Sequence, residues 1–135
     1  MTEMLNKIDI VIMRKNLLIL FFLFSIKLFP NENNFSWGGN WTVEDDNIFR
    51  SEQLEIPFYS ELFNDILVIY NKRPDRIIFY EVIDTFGNVL KNGCVSKENS
   101  AQITISVSDL SNNGIYTIIL TSPVPYDKVW SQFEK

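Results

Sequence analysis

Two regimes of hydrophobic patterning divide the chain. Leu17 to Phe24 is an unbroken apolar run, extended to ten residues by Ser25 and Ile26, with Arg14 and Lys15 directly before it and Lys27 after it. From Glu52 onward the apolar positions come instead in short stretches, many with period two, the repeat of a strand whose side chains point alternately to opposite faces. Leu54, Ile56 and Phe58 alternate through a first predicted strand at Leu54–Tyr59, where Pro57 suits a sheet edge. Ile66–Tyr70 is the second. The turn Lys72-Arg73-Pro74-Asp75 leads to a third at Arg76–Asp84, with Ile78, Tyr80 and Val82 on one face and Ile77, Phe79 and Ile83 on the other. Thr85-Phe86-Gly87-Asn88 is a hairpin turn in which Gly87 can take positive φ, and Val89–Val95 is the fourth strand. A polar loop from Lys97 to Ser100 follows. In the fifth strand, Ala101–Val107, Ile103, Ile105 and Val107 alternate with Thr104 and Ser106, so one face is buried and one wet. Asp109 to Gly114 connects to Ile115–Thr121, Pro123 and Pro125 end that strand, and Lys128–Phe133 is the last. Tyr59–Asp65 leaves room for one helical turn, because Ser60 followed by Glu61 can cap.

Seven strands with turn signals roughly 8–12 residues apart predict an all-β fold, an antiparallel β-sandwich. No period of 20–50 residues repeats along the chain.

The apolar run behaves differently from these strands. A basic stretch followed by about 7–15 apolar residues has the make-up of a secretory signal, while a spanning helix needs about 20 apolar residues and Lys27 comes too early. Residues 1–29 therefore read as a signal peptide, with an uncleaved anchor or a core helix as the alternatives. Met13 is well placed as the true start, which leaves residues 1–12 as an over-extended gene start or a genuine extension. The stretch from Ser25 to Pro30 carries no clean small-x-small cleavage pattern, and no Cys follows the run to take a lipid anchor. Residues 30–51 read as a polar leader, rich in Asn, with Gly38-Gly39, the acidic run Glu44-Asp45-Asp46, and two tryptophans, Trp37 and Trp41. The sandwich then spans residues 52–135. The expected location is secreted, periplasmic or at the cell surface, with membrane contact only through the signal segment.

Charge sharpens this division. The whole chain has 12 basic and 17 acidic residues, a net charge of −5. Residues 1–29 hold four of the basic and two of the acidic residues, so residues 30–135 carry −7. Such a surface does not suit a nucleic-acid partner, which is held by neutralising phosphates. The 135 residues include no His and one Cys, which excludes His-based nucleophile machinery, His-rich metal sites, an intrachain disulfide and a zinc–cysteine cluster. No catalytic residue, cofactor or metal ligand is assigned.

The remaining candidates are few. Glu44, Asp45 and Asp46 are contiguous, so on a loop they diverge; a solvated loop explains them, with calcium ligation the alternative, and they lack the spaced ligands and Gly of an EF-hand. Trp37 and Trp41 flank the two glycines. Exposed, they would stack on sugar or anchor a protein partner; folded back, they would cover the sandwich edge. Asn34-Phe35-Ser36 and Asn40-Trp41-Thr42 match a glycosylation sequon, which an Asn-rich segment produces by chance. Cys94 reads as a small buried residue late in its strand, the alternative being a bridge between chains. Tyr126 and Trp130 read as core and edge aromatics, and Lys72, Arg73 and Arg76 as a solvated basic turn.

Beyond these patterns, three stretches carry a resemblance: Asp84-x-x-Gly87-x-Val89; Ile103-x-Ile105-x-Val107 followed by Leu110; and Gly114-x-Tyr116-x-Ile118-x-Leu120. Over roughly residues 52–135 the chain resembles the small secreted immunoglobulin-like sandwich domains of unknown function common in gut Bacteroidetes. It is also similar to the C-terminal sorting domains of type IX secretion. It departs from the pattern at Ser111-Asn112-Asn113, where Pro often stands, and in the last hairpin, which lacks the usual Gly. The resemblance implies an immunoglobulin-like fold with Asp84, Gly87, Gly114 and Tyr116 as structural motif residues, Tyr116 tying its hydroxyl to nearby backbone as in a tyrosine corner. It brings no activity with it. The expectation is a non-catalytic module that binds a protein or carbohydrate through its loops or a sheet edge, in an unspecified oligomeric state. A sorting or docking domain, and a small enzyme or enzyme inhibitor, are the alternatives.

Overall fold

The computed structural model describes residues 35–43 and 55–135. The segment read as a signal and the acidic run Glu44-Asp45-Asp46 lie outside the described residues. Among the described residues, eight strands form two antiparallel sheets: β1 Gly38–Asn40, β2 Phe58–Phe63, β3 Ile66–Asn71, β4 Ile78–Ile83, β5 Val89–Val95, β6 Gln102–Ser106, β7 Ile115–Thr121 and β8 Lys128–Glu134. The larger sheet has the order β1-β8-β7-β4-β5 and the smaller β2-β3-β6. The fold is thus the all-β sandwich that the alternation predicts. β5 lies beside β4 on the larger sheet, which leaves the smaller sheet with three strands.

The inner faces are supplied by the period-two positions. Leu67 and Ile69 on β3, Ile103 and Ile105 on β6, and Phe58 on β2 face Ile78 and Val82 on β4, Tyr116, Ile118 and Leu120 on β7, and Val129 and Phe133 on β8. Each such side chain contributes about 1.5–3 kcal/mol by leaving water, so this alternation fixes the register of the strands.

Two corners carry the sequence motifs. At the β4–β5 hairpin, Asp84 Oδ1 accepts the backbone N–H of Phe86 and of Asn88, each at 2.9 Å, and Oδ2 accepts Asn88 Nδ2 at 3.0 Å. Gly87 donates its N–H to the Asp84 carbonyl and sits at φ +83°, in open space, so its requirement is conformational rather than steric. At the β6–β7 connection, Tyr116 is buried and its hydroxyl donates to the Ser111 carbonyl at 3.1 Å. Gly114 lies beneath that ring: a Cβ there would stand 2.6 Å from the Tyr116 hydroxyl.

Several expectations need correction. The segment read as a leader contains β1, which pairs with β8 through Gly38↔Trp130, Gly39↔Val129 and Asn40↔Lys128. The described part of the sandwich thus includes residues 35–43, not only residues from 52. The first predicted strand is displaced. Pro57 precedes β2 rather than lying within it, and its carbonyl accepts the Lys72 N–H at 2.9 Å. Instead of a helical turn, Phe63 pairs with Ile66 across the two-residue loop Asn64-Asp65, which Asn64 permits at φ 54°. Cys94 is exposed, because it lies on the outward side of an edge strand that has nothing packed over it among the described residues. Tyr126 is 91% exposed in the β7–β8 loop, at φ +70°, a strained position for a bulky side chain.

A candidate interaction surface on the larger sheet

Residues that alternate with the core point outward from the larger sheet, and the registers arrange them in rows. Cys94, Phe79, Thr121, Lys128 and Asn40 form one row across β5, β4, β7, β8 and β1. Asn92, Glu81, Ile119, Trp130 and Gly38 form the next. Phe79 is 41% and Trp130 46% exposed. Part of this face is an open concavity of about 440 Å³, with Phe79, Glu81, Cys94, Ile119, Thr121 and Lys128 along it.

Trp130 owes its position to β1. A Cβ on Gly39 would stand 2.8 Å from the Trp130 ring and 2.2 Å from the Lys128 carbonyl, and one on Gly38 would stand 3.4 Å from the ring. The two glycines therefore let the indole lie against the backbone of β1, and the exposed remainder of the ring joins the outer face. Glu81 and Lys128 are both exposed and make no ion pair with any described residue.

The segment around β1 has the opposite character. Trp41 is 5% exposed and meets the Phe58 ring edge-on at 4.8 Å; Trp37 packs at 5.7 Å from the same ring. The structure does not present these two tryptophans together as a stacking platform: Trp41 is core and Trp37 is half-buried against it. The Arg76 guanidinium lies 5.6 Å from the Trp41 ring centre, a cation–π distance. Its Nη1 donates to Asp127 Oδ2 at 2.8 Å, and its Nε and Nη2 donate to the two Asp75 oxygens at 2.7 and 2.8 Å. The side chain of Arg76 is only 12% exposed, so it is no member of a solvated basic turn.

Asp127 is the hub of this end. Its carboxylate is fully buried and also accepts the Thr42 N–H at 2.7 Å and the Ser122 hydroxyl at 2.5 Å. Burial works to raise its pKa, but the hydrogen bonds from Ser122, Thr42 and Arg76 outweigh it and hold the carboxyl below its ordinary value. The Arg76 hydrogen bonds likewise lower the Asp75 carboxyl. Both carboxylates are engaged by Arg76, so this cluster latches the segment from Phe35 to Val43 onto the sandwich and leaves no free acid or base for chemistry. A second tie is Ser131, buried on β8, which donates to the Ser36 carbonyl at 2.9 Å. Among the described residues, no three His, Cys, Asp or Glu side chains gather as a metal-binding set.

Sequence reasoning missed the outer face. The alternation of Phe79 with Ile78 and Tyr80 signals an outward aromatic, but only the strand order brings Phe79 and Trp130 onto one surface.

No protein-family profile matches the chain, and no curated protein matches it. Among solved structures it is similar to a DUF3244 family protein with an immunoglobulin-like β-sandwich fold from Bacteroides vulgatus ATCC 8482: the identity is 24%, the match covers 75% of this chain and 95% of that one, and the TM-score is 0.59. That likeness shows the fold: the chain is an immunoglobulin-like β-sandwich. A slighter overlap, with a TM-score of 0.39 and 18% identity over 63% of this chain and 81% of the other, relates it to the fn3 domain of human collagen alpha-1(XX) chain.

Proposed function

We propose that this protein is an exported, non-catalytic interaction module whose working surface is the outer face of the larger sheet, beside the β5 edge. One observation carries the reading: Phe79, Ile119 and Trp130 face outward on the neighbouring strands β4, β7 and β8, bordered by two charges, Glu81 and Lys128, that make no ion pair among the described residues. Scattered exposed apolar residues are ordinary on a folded protein, whereas a group of them on neighbouring strands with a polar rim has the make-up of a contact surface. The edge of β5 adds unpaired backbone groups that a partner strand can use. The immunoglobulin-like fold is compatible with this role, since such sandwiches act through surfaces rather than deep clefts. The satisfied state of the Asp127 cluster favours a structural task for that end. Export is inferred from Arg14-Lys15 and the run Leu17–Phe24.

The test is a binding screen of the protein against surface proteins and glycans, repeated with Phe79→Ala and Trp130→Ala. A partner whose affinity falls about tenfold or more in both variants supports the reading, in line with the weight of aromatic anchors at interfaces. A partner lost only on changing the end loops sinks it. Cell fractionation with mass spectrometry of the N-terminus tests export: cytoplasmic material alone, starting before the apolar run, counts against it.

A further inference from the structure

The two rows of the outer face contain a self-complementary pattern. Phe79 and Lys128 lie in one row, on β4 and β8, and Glu81 and Trp130 lie in the next, on the same two strands, with Thr121 and Ile119 between them on β7. The four outer residues mark the corners of a rectangle. Its sides are about 10 Å across two strand spacings and about 7 Å along the strands. One diagonal joins the two aromatic residues and the other joins the two charges. A two-fold axis lying along the aromatic diagonal, between two such faces, sets Phe79 on Phe79 and Trp130 on Trp130, and brings Glu81 of each copy to within about 4 Å of the Lys128 position of the other, an offset these two long side chains span.

We infer that the occupant of this face is a second copy of the same chain, docked sheet to sheet through the Phe79–Glu81–Lys128–Trp130 rectangle. This rests on the reading of that face as the working surface. An isologous contact must be complementary to itself, and here the charge pattern is. The reciprocal pairing also gives both charges an ion-pair partner, which neither has among the described residues. The size of the face sets the strength. Four strands of six or seven residues and the three-residue β1 project on the order of 400 Å², about half the roughly 800 Å² per partner of a standard stable interface. The association is therefore weak and reversible, with a dissociation constant on the order of tens of micromolar.

The experiment is sedimentation velocity of the full chain over a concentration series that straddles that value, with a charge-reversal cycle. Glu81→Lys and Lys128→Glu each turn both attractive contacts of the dimer into repulsive ones and are expected to weaken association about tenfold. The double variant carrying both reversals restores it to within about threefold of the starting protein. Circular dichroism verifies that each variant remains folded; both sites are exposed. Association that is absent throughout the range, indifferent to the single reversals, or not rescued by the double variant overturns the second copy as occupant. If a different partner is then captured and lost in Trp130→Ala, the face keeps its role and only the identity of the occupant falls. If no partner depends on the face, both readings fall.

Discussion

The segment around β1 and the outer face of the larger sheet make opposite use of polar groups. Beyond Asn40, where β1 runs on into Trp41 and Thr42, Asp127 and Arg76 are buried and satisfied: every oxygen of the Asp127 carboxylate has a donor, and the guanidinium has two carboxylates and a ring. On the outer face, Glu81 and Lys128 stand in water without described partners, beside aromatic rings that are only partly covered. The contrast teaches how to tell a structural cluster from a working surface in a protein without catalytic groups. Perturbed carboxyls often mark function, yet Asp127 and Asp75 are lowered by hydrogen bonds that already occupy both oxygens of each. What remains available to a partner is the exposed Glu81 and Lys128 on the face.

The sharpest way to break this contrast is Asp127→Ala. It leaves Arg76 with one exposed partner and strips the Thr42 N–H, so a loss of about 3–5 kcal/mol is expected in urea unfolding, the scale for breaking a buried ion pair. A loss under about 1 kcal/mol would show that the latch is incidental. Acid provides the same test without mutation. Asp127 and Asp75 have lowered pKa values in the folded chain, so the unfolded chain binds protons more readily. Their contribution is complete above the ordinary value of 3.8 and is lost as the pH falls below it towards the folded values. Unfolding midpoints followed from pH 6 to pH 2 should drop less in Asp127→Asn than in the starting protein. An equal drop would remove Asp127 from the account. Next in size is Tyr126→Gly, in the same loop: relief of the positive φ should raise stability by about 1 kcal/mol, read as a higher urea midpoint at unchanged slope. Smallest of all, Glu81→Gln and Lys128→Gln should change monomer stability by less than about 0.5 kcal/mol. A larger loss in either would mean that these charges hold the fold after all.

How much of this is legible in the sequence varies with the element. Val89–Val95 and Ile115–Thr121 have the bounds that turn residues and β-branched content predict, because Gly87 and Gly114 punctuate them clearly. β1 leaves no such trace: three residues, two of them glycine, show no alternation, and their pairing depends on a strand 90 residues later. β2 is displaced because Leu54, Ile56 and Phe58 continue the alternation backward through Pro57, while Asn64-Asp65 is a weaker hairpin signal than Asn-Gly. Cys94 was unreadable for a different reason. An edge strand covered on one side only shows no contrast between its faces, and Val-Leu-Lys-Asn-Gly-Cys-Val has none to read. The Asp127 cluster is long-range in the same sense, since nothing local to Arg76 announces a partner 51 residues away.

The latch also bears on the order in which the chain can fold. Thr42 meets Asp127 across 85 residues, and Ser36 meets Ser131 across 95. Contacts of such separation raise contact order and slow folding, because the intervening loop must close before they yield any stabilisation. As the chain emerges from the ribosome, the segment from Phe35 to Val43 lacks its pairing strand and the Asp127 latch until the region from Asp127 through β8 has appeared. A partly made chain thus lacks its closing contact until β8 has been synthesised.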